Sequence, residues 1–257
     1  MQTVVLFFSV LASLTLLLWQ VSEMPRLTVA DVVVEGNRGV AAWDVARIVE
    51  EHLARRFLWL FPRRNMFLVP RRAIAAAVQS EYPRVSALEL SLQDGPVLRI
   101  VVSERKSIAL VCPYPFADVV PVTPCLFTDT EGFLFAEAPR FSGHVILSYH
   151  DGEQRLEIGK TFLPDGEFER VYAFIQSLRI LRTEPVAVSL ATDMFTVHLR
   201  RGGKILVRRD NALPLIAENA KLILASPDFQ KDVSPSLGNL DYVDLRFGNK
   251  VFYKVRE

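Results

Sequence analysis

The sequence lacks most of the patterns that build a catalytic site. It has no Gly-x-Ser-x-Gly turn, no glycine-rich phosphate loop and no two histidines at metal-ligand spacing. Its four histidines are scattered along the chain, at positions 52, 144, 150 and 198. It also lacks a charge excess, since the net charge is +1, and this argues against a nucleic-acid backbone as the partner. We therefore expect no catalytic residue, metal, cofactor, nucleic acid or small-molecule substrate.

Basic side chains are absent before Arg26, and no Ala-x-Ala cleavage site precedes it. What is present is an apolar run, Val4–Val21, which as a helix would be about 27 Å long. That length is close to the roughly 30 Å hydrocarbon core of a bilayer. A cleavable signal peptide has a basic start and a shorter apolar core, whereas Trp19 lies where an interfacial aromatic residue anchors a helix end. We expect residues 1–24 to be an uncleaved transmembrane anchor rather than a signal peptide.

Cysteine is scarce, with only Cys112 and Cys125 in the whole chain. The segment between them is rich in proline. In an oxidising compartment the pair would close a short loop and contribute on the order of 3 kcal/mol to stability. The alternative is two buried thiols, and the residues alone do not decide between a disulfide and this alternative.

The segment after the anchor switches between strand and helix patterns. Leu27–Glu35 alternates as a strand does, and from Ala41 apolar residues recur at three- and four-residue steps, as on a helix face. That face consists of Val45, Ile48, Val49, His52 and Leu53. A second helix is predicted from Pro70 to Glu81, and strands follow at Val85–Leu92 and Leu98–Val102. The predicted order is β-α-α-β-β.

This order resembles that of a POTRA domain. The residues that carry the resemblance lie at three junctions: Val34–Asn37 after the first strand, Glu81–Val85 before the second, and Val101–Arg105 at the end of the third. The resemblance implies that residues 25–105 form one POTRA-like domain.

Residues 106–257 are dominated by strand patterns, with two helices predicted among them. The first helix begins at Asp165 and the second at Asn211, each a favourable N-cap residue. The predicted strands are Ile108–Val111, Leu126–Asp129, Phe133–Phe135, Val145–Tyr149, Gln154–Ile158, Val186–Leu190, Met194–Leu199, Lys204–Val207, Tyr242–Phe247 and Lys250–Val255. We expect Val145–Tyr149 to pair with Gln154–Ile158. The whole chain is then α+β: a transmembrane helix, a POTRA-like domain and a mixed β-rich domain with two helices.

The complete arrangement resembles the FtsQ/DivIB family of bacterial cell-division proteins. The motifs that carry this resemblance are Glu104-Arg105, the turn Asp129–Gly132 and the hairpin Asp244–Asn249, in that order. The resemblance implies a non-catalytic, single-pass protein of the inner membrane, with its body on the extracytoplasmic side. It implies a scaffold of the divisome, active in septation, whose partners are small bitopic coiled-coil proteins of the FtsB/DivIC and FtsL kinds and other divisome components.

The same resemblance places partner binding at the carboxyl-terminal strand, which would receive a strand of the partner. The candidate residues are Arg246, Phe247, Asn249, Lys250, Val251, Phe252, Tyr253, Lys254 and Val255. Independently of the family, the last strand of a chain is often a sheet edge whose free N–H and C=O groups template another strand. The alternation predicts Val251, Tyr253 and Val255 on one face. Lysines on an edge also protect against aggregation, so an edge without a partner is the alternative.

Two other functions fit parts of the sequence. A POTRA-bearing component of envelope transport or a chaperone would carry further POTRA repeats or a β-barrel, and neither is visible in the sequence. A membrane-anchored envelope enzyme would carry a catalytic constellation, and none is visible. The divisome scaffold is therefore the favoured function.

The connection between the two helices of the POTRA-like segment, Phe57–Val69, is unusually apolar. Trp59 and Phe61 lie in it, next to Arg63 and Arg64, and aromatic residues flanked by arginines are typical of membrane-surface segments. We consider a membrane-surface contact through these four residues. The alternative is that the segment covers the neighbouring helices and that its arginines are solvated.

Overall fold

The computed structural model shows a mixed α and β protein. It describes residues 2–93, 95–117, 123–152, 154–164, 166–180, 183–209, 213–233, 237–248 and 250–256. The chain divides into two compact units, Met1–Arg105 and Lys106–Glu257. Each unit has a hydrophobic core of its own.

The first unit begins with a long helix and continues as a small sheet with two helices. Its elements are α1 (Gln2–Ser22), β1 (Asp31–Glu35), α2 (Ala42–Leu53), β2 (Arg56–Phe57), β3 (Phe61–Pro62), α3 (Arg71–Glu81), β4 (Val85–Gln93) and β5 (Val97–Glu104). The described strands form a sheet of order β1-β5-β4 and a separate two-stranded hairpin, β2-β3. In the sheet β5 is parallel to β1 and antiparallel to β4.

Helix α1 carries the apolar run of the sequence. It is 21 residues long, its best window has a mean hydropathy of 2.2, and none of that window is buried. Among the described helices it alone is long and apolar enough to cross a membrane, by a test that a signal sequence also passes.

The predicted apolar face of α2 is confirmed. Its buried residues are Val45, Ile48, Val49 and Leu53, which pack with α3 and with the inward side chains of β5. His52 is only half-buried, and its Nδ1 lies 2.9 Å from the carbonyl oxygen of Ile48. The two helices therefore cover one face of the sheet, because side chains three or four residues apart share a helix face.

The first strand begins later than the sequence pattern predicts. Pro25–Leu27 forms a 3₁₀ turn, and regular pairing starts only at Asp31. Pro25 has no N–H and suits the first position of a helical turn. Thr28 and Val29 pair instead with the residues directly after β3: Thr28 forms a bridge with Asn65, and the Val29 N–H donates to the Arg64 carbonyl oxygen at 2.8 Å.

The second unit is built on one large sheet. Its elements are β6 (Ala109–Cys112), β7 (Leu126–Thr128), β8 (Leu134–Glu137), β9 (Ser148–His150), α4 (Glu167–Ile180), β10 (Pro185–Leu190), β11 (Met194–Leu199), β12 (Lys204–Arg208), α5 (Leu213–Leu224), α6 (Pro227–Asp232), β13 (Leu240–Phe247) and β14 (Lys250–Val255). The described strands form a nine-stranded sheet of order β14-β13-β12-β11-β10-β9-β6-β7-β8. Strands β14 and β8 are its two edges.

Parallel strand pairs need a crossover connection, and helices supply it for two parallel pairs of this sheet. Strand β9 is parallel to β10, and α4 lies between them in the chain. Strand β12 is parallel to β13, and α5 and α6 lie between them. The apolar residues of the three helices pack with inward residues of the sheet in one core.

Two predictions for this unit are wrong. The prediction of two helices misses α6. Ser226 is the N-cap of this helix, and its hydroxyl oxygen accepts a hydrogen bond from the Phe229 N–H at 3.4 Å. Gln154–Ile158 forms no strand among its described residues, because β9 already has parallel neighbours on both sides, β6 and β10. The predicted N-cap residues Asp165 and Asn211 lie outside the described residues.

Candidate partner-binding edge

Strand β14 is an edge of the nine-stranded sheet, and its side chains alternate. Val251, Tyr253 and Val255 are partly buried against the core, while Lys250, Phe252 and Lys254 are exposed. The predicted division of this strand into two faces is confirmed. Asn249, which the sequence also places in this set, lies outside the described residues.

The backbone of β14 has one side on β13 and one side open. The Arg256 N–H donates to the Asn239 carbonyl oxygen at 2.7 Å, so the backbone N–H of Arg256 faces the chain that leads into β13. Consecutive residues of a strand direct their N–H and C=O groups to opposite sides. Val251, Tyr253 and Val255 therefore direct theirs away from β13, and no described strand pairs with them.

Exposed aromatic side chains stand on the solvent face of this hairpin. Phe252 is 51% exposed and Phe247 is 55% exposed. Their rings meet edge to face at 5.5 Å, in a geometry that aromatic pairs favour. A strand added to β14 would lie beside this pair, so the edge offers both a hydrogen-bonding template and an apolar contact.

Tyr253 has a different task from Phe252. Its hydroxyl donates to a carboxylate oxygen of Asp232 at 2.8 Å, and its ring lies 5.1 Å from that of Phe229. Both partners belong to α6. Tyr253 thus fastens β14 to the helix behind it and leaves only its backbone groups for a partner. The sequence did not reveal this contact, because α6 was not predicted.

Arg246 is occupied by an ion pair within its own strand. Its Nη2 lies 2.6 Å from Oδ2 of Asp244, and its Nε donates to Oδ1 at 2.9 Å. These bonds hold the pKa of Asp244 below its usual value, against the opposing effect of burial. The Arg246 guanidinium also lies 5.6 Å from the Phe247 ring centroid. Arg246 therefore positions the hairpin and its aromatic pair, in addition to the predicted contact with a partner.

The two cysteines form a disulfide, Cys112–Cys125. The antiparallel register of β6 and β7 pairs Leu110 with Phe127 and Val111 with Leu126. Cys112 and Cys125 are the next pair in this register, with Cα atoms 4.3 Å apart, close to the roughly 4.5 Å spacing of such pairs. The sheet itself therefore brings the sulfur atoms together.

A cluster of histidines that the sequence left scattered surrounds Phe116. The ring of Phe116 lies 5.4 Å from His144, 5.1 Å from His150 and 4.5 Å from His198. No group of three metal-ligating side chains occurs in the part of the chain that the structure describes. The strand order brings His198 close to His150, because these two are far apart in sequence, whereas His144 and His150 lie in one segment of the chain.

Burial keeps two of these histidines neutral. It lowers the pKa of His150 to about 4, and that of His198 also to about 4, with the charge of Lys204 adding to the second shift. His150 Nδ1 donates to the Tyr114 carbonyl oxygen at 3.1 Å, so its Nε2 accepts from the Ser148 hydroxyl at 2.8 Å. These bonds satisfy a neutral ring.

The four residues considered for a membrane-surface contact differ in their exposure. Trp59 is 92% exposed at the tip of the β2-β3 hairpin. Phe61 and Arg63 are half-buried. Arg64 has a structural task, since its Nε donates to the Val29 carbonyl oxygen at 2.6 Å and its Nη1 lies 3.0 Å from Glu50. Arg64 therefore secures the base of the hairpin, while its side chain remains 38% exposed.

No protein-family model matches the chain, and a search of curated proteins finds no similar sequence.

Proposed function

We propose that this chain is a non-catalytic, single-pass scaffold of the bacterial cell-division machinery, of the FtsQ/DivIB kind. It binds small bitopic coiled-coil proteins, FtsB/DivIC-like and FtsL-like, by strand addition at β14. The observation that carries the proposal is the open backbone edge of β14, with N–H and C=O groups of Val251, Tyr253 and Val255 unpaired by any described strand. An edge of this kind is a template for another chain.

The arrangement of the first unit supports a POTRA-like assignment. Along the chain β1, α2, α3, β4 and β5 follow one another, and the hairpin β2-β3 is inserted between the two helices. A three-stranded sheet covered by two helices is what the resemblance implies for residues 25–105.

Glu104, one of the motif residues, has a clear physical task in this unit. Its carboxylate accepts the backbone N–H groups of Arg38 at 2.6 Å, Gly39 at 2.8 Å and Val40 at 3.1 Å. Burial alone would raise the pKa of Glu104, but these three bonds hold it below its usual value. Glu104 thus fixes the turn between β1 and α2, which explains why the motif ends β5.

The location follows from two further observations. The exposed apolar surface of α1 has no favourable environment in water and is matched by lipid. The disulfide Cys112–Cys125 belongs to an oxidising compartment. We therefore place α1 in the inner membrane and the chain that follows it on the extracytoplasmic side.

The test is co-purification of the full-length chain from membranes with co-expressed FtsB/DivIC-like and FtsL-like proteins. Phe252→Glu puts a charge beside the open edge and is expected to lower capture at least about tenfold, since a desolvated charge costs more than 1.4 kcal/mol. The matched control is Leu215→Glu, at an exposed apolar residue of α5. Wild-type capture by both variants would remove β14 as the binding site, whereas an equal loss in both would point to general damage.

A further inference from the structure

The hairpin β2-β3 presents a strongly apolar tip. Its three-residue connection and the residue before it are all exposed: Phe57, Leu58, Trp59 and Leu60. Phe67, a few residues further on, is also exposed. So many large apolar side chains at one loop are uncommon on a soluble surface, where such patches mark a binding site.

The backbone of this tip is unfavourable for the residues it carries. The Leu60 N–H donates to the Phe57 carbonyl oxygen at 3.2 Å, which closes a turn. Its two central residues, Leu58 and Trp59, have φ angles of 47° and 63°. Turns of this kind normally carry Asn-Gly, because a bulky side chain is disfavoured at positive φ. Strain of this type concentrates at functional sites, and here it serves to display two apolar side chains.

Three contacts join the hairpin and the residues directly after it to the end of α1 and the turn that follows the helix. The Asn65 side-chain amide, which is buried, donates to the Ser22 carbonyl oxygen at 3.0 Å. Arg56 lies 3.2 Å from Glu23, and the Met66 N–H donates to the carbonyl oxygen of Leu27 at 2.8 Å. Ser22 is the last residue of α1, so these bonds hold the hairpin where the helix would leave the hydrocarbon core.

Positive charge lines the base of the hairpin. The Arg63 N–H donates to the Arg55 carbonyl oxygen at 3.0 Å, so the two arginines are neighbours across the base. Arg56 and Arg64 have the acidic partners Glu23 and Glu50, whereas Arg55 and Arg63 pair with no acidic side chain among the described residues. Arginines beside interfacial aromatic residues suit the anionic headgroups of a bilayer.

We propose that the tip of this hairpin inserts into the interface of the same bilayer that holds α1, with Trp59 as its anchor and Arg55 and Arg63 on anionic headgroups. The proposal rests on the membrane anchoring of α1 proposed above. A second attachment next to the helix end restricts the tilt of the first unit relative to the bilayer. The hairpin is thus a lipid-binding site, separate from the partner-binding edge β14.

The three tryptophans of the chain supply the test. The full-length protein is reconstituted in nanodiscs containing phosphatidylglycerol, with two tryptophans replaced by Phe so that only Trp19, Trp43 or Trp59 remains. Fluorescence quenching is measured with lipids brominated near the top of their acyl chains, and with acrylamide in the water. Trp43 is the matched control, because it is 70% exposed and lies near the start of α2, about 15 Å along that helix from the hairpin.

We expect brominated lipid to quench Trp59 several-fold more than Trp43, and acrylamide to do the reverse. If Trp19 is quenched by lipid while Trp59 behaves like Trp43, the hairpin assignment is overturned and the anchor stands. If Trp19 is not quenched by lipid, the proposed anchoring of α1 is overturned and the hairpin assignment falls with it. Neither result affects partner capture at β14, which the co-purification test measures separately.

Discussion

The two edges of the nine-stranded sheet differ in how their backbone groups are satisfied. At the β8 edge a later segment of the same chain covers the start of the strand: the Leu134 N–H donates to the Lys160 carbonyl oxygen at 2.9 Å, and the Gly159 N–H to that of Leu134 at 2.7 Å. Phe133 and Thr161 form an isolated bridge beside them. At the β14 edge no described segment takes this place.

A segment of the same chain closes the start of β8, whereas no described segment closes β14. An uncovered edge exposes a protein to aggregation, and charged side chains are a common defence. Lys250 and Lys254 are such charges on β14, although Lys254 lies 3.8 Å from Asp241. The exposed pair Phe247 and Phe252 opposes that defence, because apolar side chains favour association. The exposed aromatic pair is therefore the feature of β14 that favours the proposed partner over a protected edge.

The largest effect is expected from removing the disulfide. This change tests whether partner capture at β14 depends on the stability of the sheet near β8. The disulfide closes a loop near the covered edge, with a sequence separation of 13. Replacing Cys112 and Cys125 together by Ala is expected to lower the free energy of unfolding by about 3 kcal/mol. Chemical denaturation of the oxidised wild type, the reduced wild type and the double variant measures this loss.

Partner capture at β14 by the double cysteine variant is expected to match that of the wild type at a temperature where both are folded. A parallel fall in capture would show that the covered end supports the open one, and the comparison between independent edges would fail.

The second effect concerns the turn that leads into the covered strand. Gly132 has a φ of +80°, and a Cβ there would lie 2.8 Å from the Cβ of Phe168. Gly132→Ala is expected to cost about 2 kcal/mol, from backbone strain and from displacement of a buried ring. Gly143→Ala is the matched control, with a φ of +76° and no atom within 4 Å of the added Cβ. Equal losses in thermal denaturation would show that the contact with Phe168 is unimportant.

The third effect isolates the open backbone of β14. Val251→Pro removes an N–H that points away from β13, while Val251→Ala removes most of the same side chain and keeps the N–H. Proline is tolerated on an edge strand where its missing N–H faces outward. The Pro variant is expected to bind the partner about tenfold more weakly than the Ala variant, the loss of roughly one hydrogen bond, with similar melting temperatures. If the two variants bind equally, the partner does not pair with this backbone.

The local patterns of the sequence predicted elements better than the connections between them. The face of α2 and the alternation of β14 are set by residues three, four or two positions apart, and both were predicted. The cover over β8 joins Leu134 to Lys160, and the histidine cluster joins His150 to His198. These pairs follow from strand order, which no local pattern encodes. The same limit explains the wrong pairing of Gln154–Ile158, whose expected neighbour β9 is enclosed by β6 and β10.

The smallest effect lies in the middle of the sheet, between the two edges. His150 and His198 have pKa values of about 4 in the folded chain, and about 6.5 when unfolded. Because the folded pKa values are depressed, the unfolded chain binds more protons below pH 6.5, and stability falls as the pH drops from about 6.5 to about 4.

Between pH 7 and 6 we expect the free energy of unfolding to fall by an amount on the order of 1 kcal/mol for the two histidines together, with the more exposed His198 contributing less. Replacing both by Gln is expected to flatten this slope in denaturation curves, and an unchanged slope would assign the titration to other groups. Since neither ring belongs to an edge strand, capture by folded protein at β14 is expected to show no matching pH step.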